Sequence, residues 1–281
     1  MSNVSYAFAR CLSKATTQDY FDLFCDSFGH NPKLTRSYLD WLYHENISGT
    51  VVGMDAFANG RLVAHYATIP RIYEHNGIRY KSLLSVNTAT HPDHQRKGLF
   101  KELATATYKT AAEEGFAFVF GIANAQSTHG FIASLGFEFL GQVRLALLSG
   151  GWPTTASATK LVMDKQWLSW RLANPSATYF FTKTDKEKAK VYTKQNGVNF
   201  AIGEMKLDVA KNIFDRIPIR RSISGWLSMT PMSLSGRRSR ILLPTRFQPS
   251  PWNMICLPLQ TNLNPEVYAN IAVNGLGMDT F

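Results

Sequence analysis

Apolar side chains near the N-terminus recur at helical spacing. Tyr20, Phe21, Phe24 and Phe28 fall on one face of a helix that Thr16 or Thr17 can cap, and Tyr38, Leu39, Trp41 and Leu42 on one face of a second that Thr35 can cap. Aromatic stripes at this spacing serve a core and carry no cofactor role. From Thr50 the pattern becomes that of extended chain. The runs Thr50–Ala58 and Arg61–Glu74 meet at Asn59-Gly60, and the second run passes through Asn76-Gly77 into Ile78–His91. Asn-Gly accepts both left-handed positions of a type I′ turn, so these turns predict three antiparallel strands in a meander. Pro70 interrupts the middle run, which therefore bends or has an edge there.

After His91-Pro92 comes a loop, then a helix with Leu99, Phe100, Leu103, Ala106, Thr107 and Ala111 on one side, stopped by Gly115. Phe116–Ile122 reads as a buried strand, placed parallel to the strand before the helix by the crossover. Ser127–Leu135 reads as a short helix ended by Gly136, and Phe137–Leu148 as a further strand. The order predicts an α/β fold with a mixed sheet and helices on both faces. Glycine, proline and small polar residues between Gly150 and Thr159 mark a boundary, giving one domain over 1–149 and a second, smaller one over 150–281. In the latter Trp167–Asn174 looks helical, Thr178–Thr182 and Lys190–Tyr192 extended, and Asn196-Gly197 offers another hairpin turn. Trp170 to Asn174-Pro175 and the run after it echo Trp41 to Asn46 and its run, as a duplicated and degraded half would.

Composition narrows the class. The chain has 281 residues, 45% hydrophobic and 18% charged, as expected of a globular protein. No apolar run approaches the length of a membrane span, and the first residues lack the pattern of a secretory signal. Cys11, Cys25 and Cys256 show no metal-ligand spacing and suit a reducing cytoplasm, so no metal is expected. A net charge of +10 asks for an anionic partner: nucleic acid, an acidic membrane surface or a phosphorylated small molecule. The basic stretches Arg216–Arg221 and Arg237–Arg246 lack the aromatic interleaving or motif setting of a nucleic-acid binder, so no nucleic-acid partner is expected.

The chemistry is concentrated between Leu83 and Phe137. A strand ends, turns at Pro92, and passes through Gln95, Arg96, Lys97 and Gly98 into a helix. Unpaired amides and the dipole at a helix N-terminus favour an anion such as pyrophosphate, and Gly98 lets backbone approach it closely. The turn lacks the glycines of a Walker loop or of a dinucleotide fingerprint.

In this setting the chain resembles the GNAT acetyltransferase family. That family's signature, Gln/Arg-x-x-Gly-x-Gly/Ala between the fourth strand and third helix, reads here Gln95-Arg96-Lys97-Gly98-Leu99-Phe100. Its second landmark, an Asn ending the fifth strand followed by a short helix and Leu-Gly-Phe, reads Asn124, Ser127, Phe131 and Leu135-Gly136-Phe137. The resemblance covers roughly residues 15–149, and some members carry a second, degenerate half. It implies acetyl-CoA as acyl donor, with backbone of Thr88, Ala89 and Thr90 along the pantetheine arm, amides from Gln95 through Arg96, Lys97, Gly98 and Leu99 to Phe100 at the pyrophosphate, and Asn124 and Ser127 nearby. It also implies direct attack of an amine on the thioester, which needs a base or water relay and a donor to the leaving thiolate. Two positions depart from the pattern: Phe100 stands where a small residue is usual, and Ile132 where a Tyr general acid often stands.

Candidates for catalysis are His129, Asn87 and Phe281, the last through its carboxylate, as in some aminoglycoside acetyltransferases of this superfamily. His65 reads equally as a half-buried core residue. His44, Glu45 and Asn46 follow the second helix, where the family shapes its acceptor pocket. The expected function is acetyl transfer from acetyl-CoA to a primary amine of a small molecule, with nucleotide-linked amino sugars the first acceptor considered. Trp41, Asn46 and Gly49 resemble positions in family members from surface-polysaccharide pathways. The alternative is a non-catalytic acyl-CoA-binding protein or sensor. A homodimer is the oligomer considered.

Overall fold

In the computed structural model, residues 4–148, 158–184, 186–195, 198–208, 213, 226–231, 240–242, 244 and 250–278 are described. After a short β1 (Ala7–Arg10) come two helices, α1 (Thr17–Phe28) and α2 (Arg36–Tyr43). Thr16 and Thr35 cap them through their hydroxyls, and at Thr16 the N3 residue Asp19 reciprocates in a capping box. The meander follows as β2 (Val52–Ala58), β3 (Arg61–His75) and β4 (Ile78–Thr90). Both Asn-Gly pairs hold positive φ at each residue, as the type I′ reading requires. Pro70 pairs with Leu83 of β4 but lies beyond the end of β2, which stops pairing at Val52↔Thr68, so its missing N–H faces an edge. Asn46 Nδ2 donates to the Pro70 carbonyl at 3.2 Å and occupies that gap.

Helix α3 (Leu99–Glu113) crosses over to β5 (Phe118–Ala123), which runs parallel to β4. Next comes α4 (Ala125–His129), which starts two residues earlier than the sequence suggests because Asn124 is its N-cap, and it continues into a π-helical turn at Gly130–Ser134. β6 (Glu138–Leu148) completes the first part. Beyond it lie β7 (Lys160–Leu161), α5 (Lys165–Leu172), β8 (Tyr179–Lys183), β9 (Lys188–Gln195), β10 (Val198–Lys206), β11 (Trp226–Pro231), β12 (Arg240–Leu242), β13 (Trp252–Pro258) and α6 (Pro265–Ala269). β9 and β10 are antiparallel, with Gln195 opposite Val198; the Asn196-Gly197 turn itself lies outside the described residues, as do most of the two basic stretches. No helix among the described residues is long and apolar enough to cross a membrane.

These strands join one mixed sheet in the order β1-β2-β3-β4-β5-β13-β6-β11-β10-β9-β8, with β7 paired to β3 and β12 to β6 off this path. β13 therefore lies between β5 and β6, antiparallel to both, although β6 follows β5 closely in sequence. The order is symmetric about the β13–β6 pair. On one side stand β5 and its parallel partner β4, then β3 and β2; on the other stand β11 and its parallel partner β10, then β9 and β8. β5 is buried on both faces, Phe118 and Phe120 in the core under α1 and α2, Val119 in the core under α3.

Trp41 of α2 and Trp170 of α5 meet on this symmetry. Their rings stack with centroids 4.6 Å apart, Trp41 Nε1 donates to the Trp170 carbonyl at 2.9 Å, and Trp170 Nε1 to the Trp41 carbonyl at 3.2 Å. The buried guanidinium of Arg71 covers the Trp170 ring, and that of Arg171 the Trp41 ring.

Candidate functional site

β4 and β5 pair from Ser82↔Phe118 to Leu84↔Phe120 and then part. The β3–β4 register slips between His65 and Ala67, and within this bulge Asn87 takes φ 47°, a left-handed conformation that Asn tolerates better than most residues. Beyond Leu84, β4 keeps its bonds to β3 and leaves its other edge unpaired. A cavity of about 540 Å³ opens there, lined by Ser85–Thr88 on one strand, Gly121–Asn124 on the other, Phe100 and Phe131 above, and Ile255 of β13. Gly121 lets the strands approach closely at the parting, since a Cβ there would stand 3.2 Å from Ser85 Cβ. A second cavity of about 190 Å³ shares Ser85, Val86, Asn87 and Ile122 and adds Tyr38, Leu84 and Met278. Asn87 thus stands at the junction of the two.

The Gln95–Phe100 segment reaches the larger cavity through Phe100. Arg96 and Gly98 take φ 60° and 80°, which turns the chain sharply into α3. No side chain caps this helix, and open space lies where a Gly98 Cβ would be, so the first amides of α3 are free to receive an anion. Gln95, Arg96 and Lys97 are exposed, Leu99 is buried, and Phe100 packs edge-on against Phe131 and Tyr66, which explains how a large residue fits at that position. Nearby His94 accepts or donates at Tyr6 OH, 3.0 Å away; partial burial, then the Lys97 charge, pull its pKa below the ordinary value.

Asn124 and Ser127 both line the larger cavity. Asn124 Oδ1 is committed to capping α4, accepting from the amides of Gln126 and Ser127. His129 is exposed and lies outside both cavity linings, and Ile132 is 37% exposed. His44 and Glu45 are exposed on the turn after α2; Asn46 is buried and holds that turn to β3. Phe281 lies outside the described residues. The chain leading to it is anchored by buried Arg171, whose guanidinium donates to the carbonyls of Leu276 at 2.7 Å and Met278 at 3.0 Å and to Tyr179 OH.

The structure brings together residues that spacing alone did not. Asp55 and His65 are fully buried and face each other across β2 and β3, with Asp55 Oδ1 2.7 Å from His65 Nδ1. Tyr20 OH donates to Asp55 Oδ2 at 2.7 Å, and Cys11 Sγ to Oδ1 at 3.4 Å. His65 Nε2 lies 2.8 Å from Tyr43 OH, which accepts from Asn87 Nδ2 at 3.1 Å. Burial pushes Cys11, Tyr20 and Tyr43 above their ordinary values. Cys11, Asp55 and His65 offer ligand atoms within 4.8 Å of one another, a grouping the scattered cysteines did not announce; their short contacts are hydrogen bonds. One sequence signal existed: an Asp in the middle of a strand, ten residues before a His, across an Asn-Gly turn that fixes the register. A second chain runs from Tyr108 OH through Tyr66 OH to Ser85 Oγ, the last contact 2.9 Å, and ends at the cavity wall. Burial pushes Tyr66 up to about 12.

A mixed sheet whose parallel central strands part beside an uncapped helix N-terminus is the GNAT fold. Residues 9–140 match the family model of the acetyltransferase (GNAT) domain. Among solved structures, a probable N-acyltransferase from Enterococcus faecalis is similar with a TM-score of 0.60 and 12% identity over 94% of this chain and 74% of that one. Eis1 from Mycobacterium abscessus is similar with a TM-score of 0.57 and 12% identity over 91% and 74%. A putative acetyltransferase from Pyrococcus horikoshii gives 0.51 and 11% over 97% and 96%. At such identities the likeness is one of fold. No protein of curated function matches the sequence.

Proposed function

We propose that the chain transfers an acetyl group from acetyl-CoA to a primary amine of a small molecule. The observation that carries this reading is the unpaired edge of β4 beside the larger cavity, ending at the uncapped start of α3. The pantetheine arm fits this edge as an added strand along Thr88, Ala89 and Thr90. Its pyrophosphate fits the amides from Gln95 to Phe100, with Arg96 and Lys97 supplying charge. Ser127 and the Asn124 amide nitrogen flank the arm. Bound acetyl-CoA supplies the reactive thioester; an amine attacking its carbonyl forms the C–N bond, the C–S bond breaks, and the amine gives up a proton. Ser85, supported by Tyr66 and Tyr108, is the proposed donor to the departing thiolate, in the role that Ile132 cannot fill. The acceptor enters through the smaller cavity, between Tyr38 and Met278. Nucleotide-linked amino sugars are the acceptor class we favour, on the resemblance of Trp41, Asn46 and Gly49 and the basic character of the C-terminal part.

Calorimetric titration with acetyl-CoA tests the first step, and one-site binding is expected. Absence of heat at millimolar cofactor would sink the proposal. Release of free thiol with a panel of small amines tests the second. The exposed Ile132 favours one other reading, a non-catalytic acyl-CoA sensor, which would bind the cofactor and release no thiol with any amine.

We also propose that the C-terminal part is a degenerate copy of the first. Asp164 caps α5 as Thr35 caps α2, 129 positions apart like Trp41 and Trp170, and each helix leads into a meander followed by a parallel strand. β6 and β13 then change places: each pairs with the strand of the other part.

A further inference from the structure

An asparagine side chain has two ends of nearly equal shape and opposite hydrogen-bonding sense, so a site that uses one must fix which end faces the ligand. We infer that Asn87 presents its side-chain oxygen to the junction of the two cavities as a fixed acceptor for the N–H of the incoming amine. The buried chain Asp55–His65–Tyr43 makes that choice. This inference rests on the N-acetyltransferase reading of the site.

The direction follows link by link. The Asp55 carboxylate receives Tyr20 OH at 2.7 Å on one oxygen, and on the other His65 Nδ1 at 2.7 Å and Cys11 Sγ at 3.4 Å. Carboxylate oxygens engaged in this way accept, so the hydrogen of the His65 ring resides on Nδ1. A ring with its one hydrogen at Nδ1 offers Nε2 as an acceptor. Tyr43 OH, 2.8 Å away, therefore donates to Nε2. With its hydrogen spent, the Tyr43 oxygen can only accept, and it takes Asn87 Nδ2 at 3.1 Å. Asn87 Oδ1 is left pointing away from this chain. The groups packed about the His65 ring are Tyr20 and Phe24 from α1, Tyr43 from α2, Asp55 from β2 and Cys11 from the turn after β1. Of these groups the Tyr43 hydroxyl is the partner of Nε2, and Asp55 and Cys11 are the partners of Nδ1.

The consequence is selectivity for nitrogen. A primary amine retains an N–H for Oδ1 throughout attack and collapse, whereas an alcohol has a single hydrogen, which it must lose as the ester forms. A fixed acceptor at this point favours transfer to amines. Asn87 touches the substrate in this account; Asp55, His65 and Tyr43 are positioning residues acting through it.

Two variants of the full chain separate orientation from packing. Tyr43→Phe keeps the ring and removes the link, so the Asn87 amide can turn over. Asn87→Asp offers an acceptor at either end, and Asp also tolerates the left-handed conformation of that position. Tyr43→Phe is expected to lower kcat/KM for the amine about 10- to 100-fold while acetyl-CoA affinity stays within about twofold, and adding Asn87→Asp should restore most of the loss. Nitrogen-detected NMR of the histidine rings, assigned against His65→Gln, should show His65 hydrogen-bearing at Nδ1. A His65 ring carrying a hydrogen at Nε2, alone or together with Nδ1, or a double variant as slow as Tyr43→Phe, would overturn the inference. A wild-type chain that binds no CoA or releases no thiol overturns the N-acetyltransferase reading instead.

Discussion

The segment from α2 to β5 and the segment from α5 to β11 are built in the same order, yet they treat the middle of the sheet differently. In the first, β4 bulges at Asn87 and parts from β5, leaving a cavity and an unpaired strand edge. In the second, β10 also bulges, at Ile202, but the C-terminal segment packs onto it. Leu276 N–H donates to the Ile202 carbonyl at 2.9 Å, and a Cβ on Gly203 would stand 2.5 Å from Leu276 Cδ1. Arg171 fastens the same segment by its carbonyls. One architecture thus serves as an open site in one part and as a packed, self-filled support in the other. The difference arises from what meets the bulged strand: two cavities in the first case, with Met278 on the wall of the smaller one, and the packed Gly275–Leu276 segment in the second.

The largest test of this comparison is to cut it. A chain of residues 1–149 lacks β13, so β5 and β6 lose the strand between them and Ile255 leaves the cavity wall. Circular dichroism should show no cooperative melt for this fragment, and co-expression with residues 158–281 should restore one. A fragment melting like the full chain would mean that the first part is self-sufficient, as the boundary near residue 150 suggests from sequence. A sharper test concerns the stacked indoles. Trp41→Ala and Trp170→Ala should each cost about 3–5 kcal/mol in denaturant unfolding, since both are buried and both donate to the other helix. In a double-mutant cycle the two should couple by about 1 kcal/mol or more, whereas additive losses would mean that the two parts do not lean on each other there. The smallest effect belongs to the open site alone. Because His94 is held below its ordinary value when folded, it stabilises the fold above that value, and the contribution fades as pH falls through the folded pKa. Acetyl-CoA phosphates nearby should raise it, and NMR titration of the ring with and without cofactor would show no change if the anion lies elsewhere.

Much of the first part was legible because its signals are local. Thr16 and Thr35 cap helices, the Asn-Gly pairs turn the meander, and Gly98 and Gly115 bracket α3. Asn124 and Leu135-Gly136-Phe137 marked the segment that closes the cavity. What sequence could not supply was pairing over distance. Nothing in Trp252–Pro258 announces that it enters between β5 and β6, because any short apolar strand satisfies the same period. The Asp55–His65–Tyr43–Asn87 chain escaped for a related reason: its members come from separate strands and a helix, and each reads alone as a satisfied core polar group. The apolar echo of Trp41 in Trp170 was visible, but not that the two rings touch.

The place of β13 also bears on how the protein is made. During synthesis the ribosome releases β4, α3, β5 and β6 long before Trp252–Pro258 emerges, so the nascent chain carries two unfilled strand edges for the time needed to add roughly a hundred residues, several seconds at about 5–20 residues per second. Until that strand arrives, those edges are open to pairing with a neighbouring nascent chain. Prolonged translation of the stretch between β6 and β13 should therefore favour intertwined dimers, in which one molecule's late strand completes its neighbour.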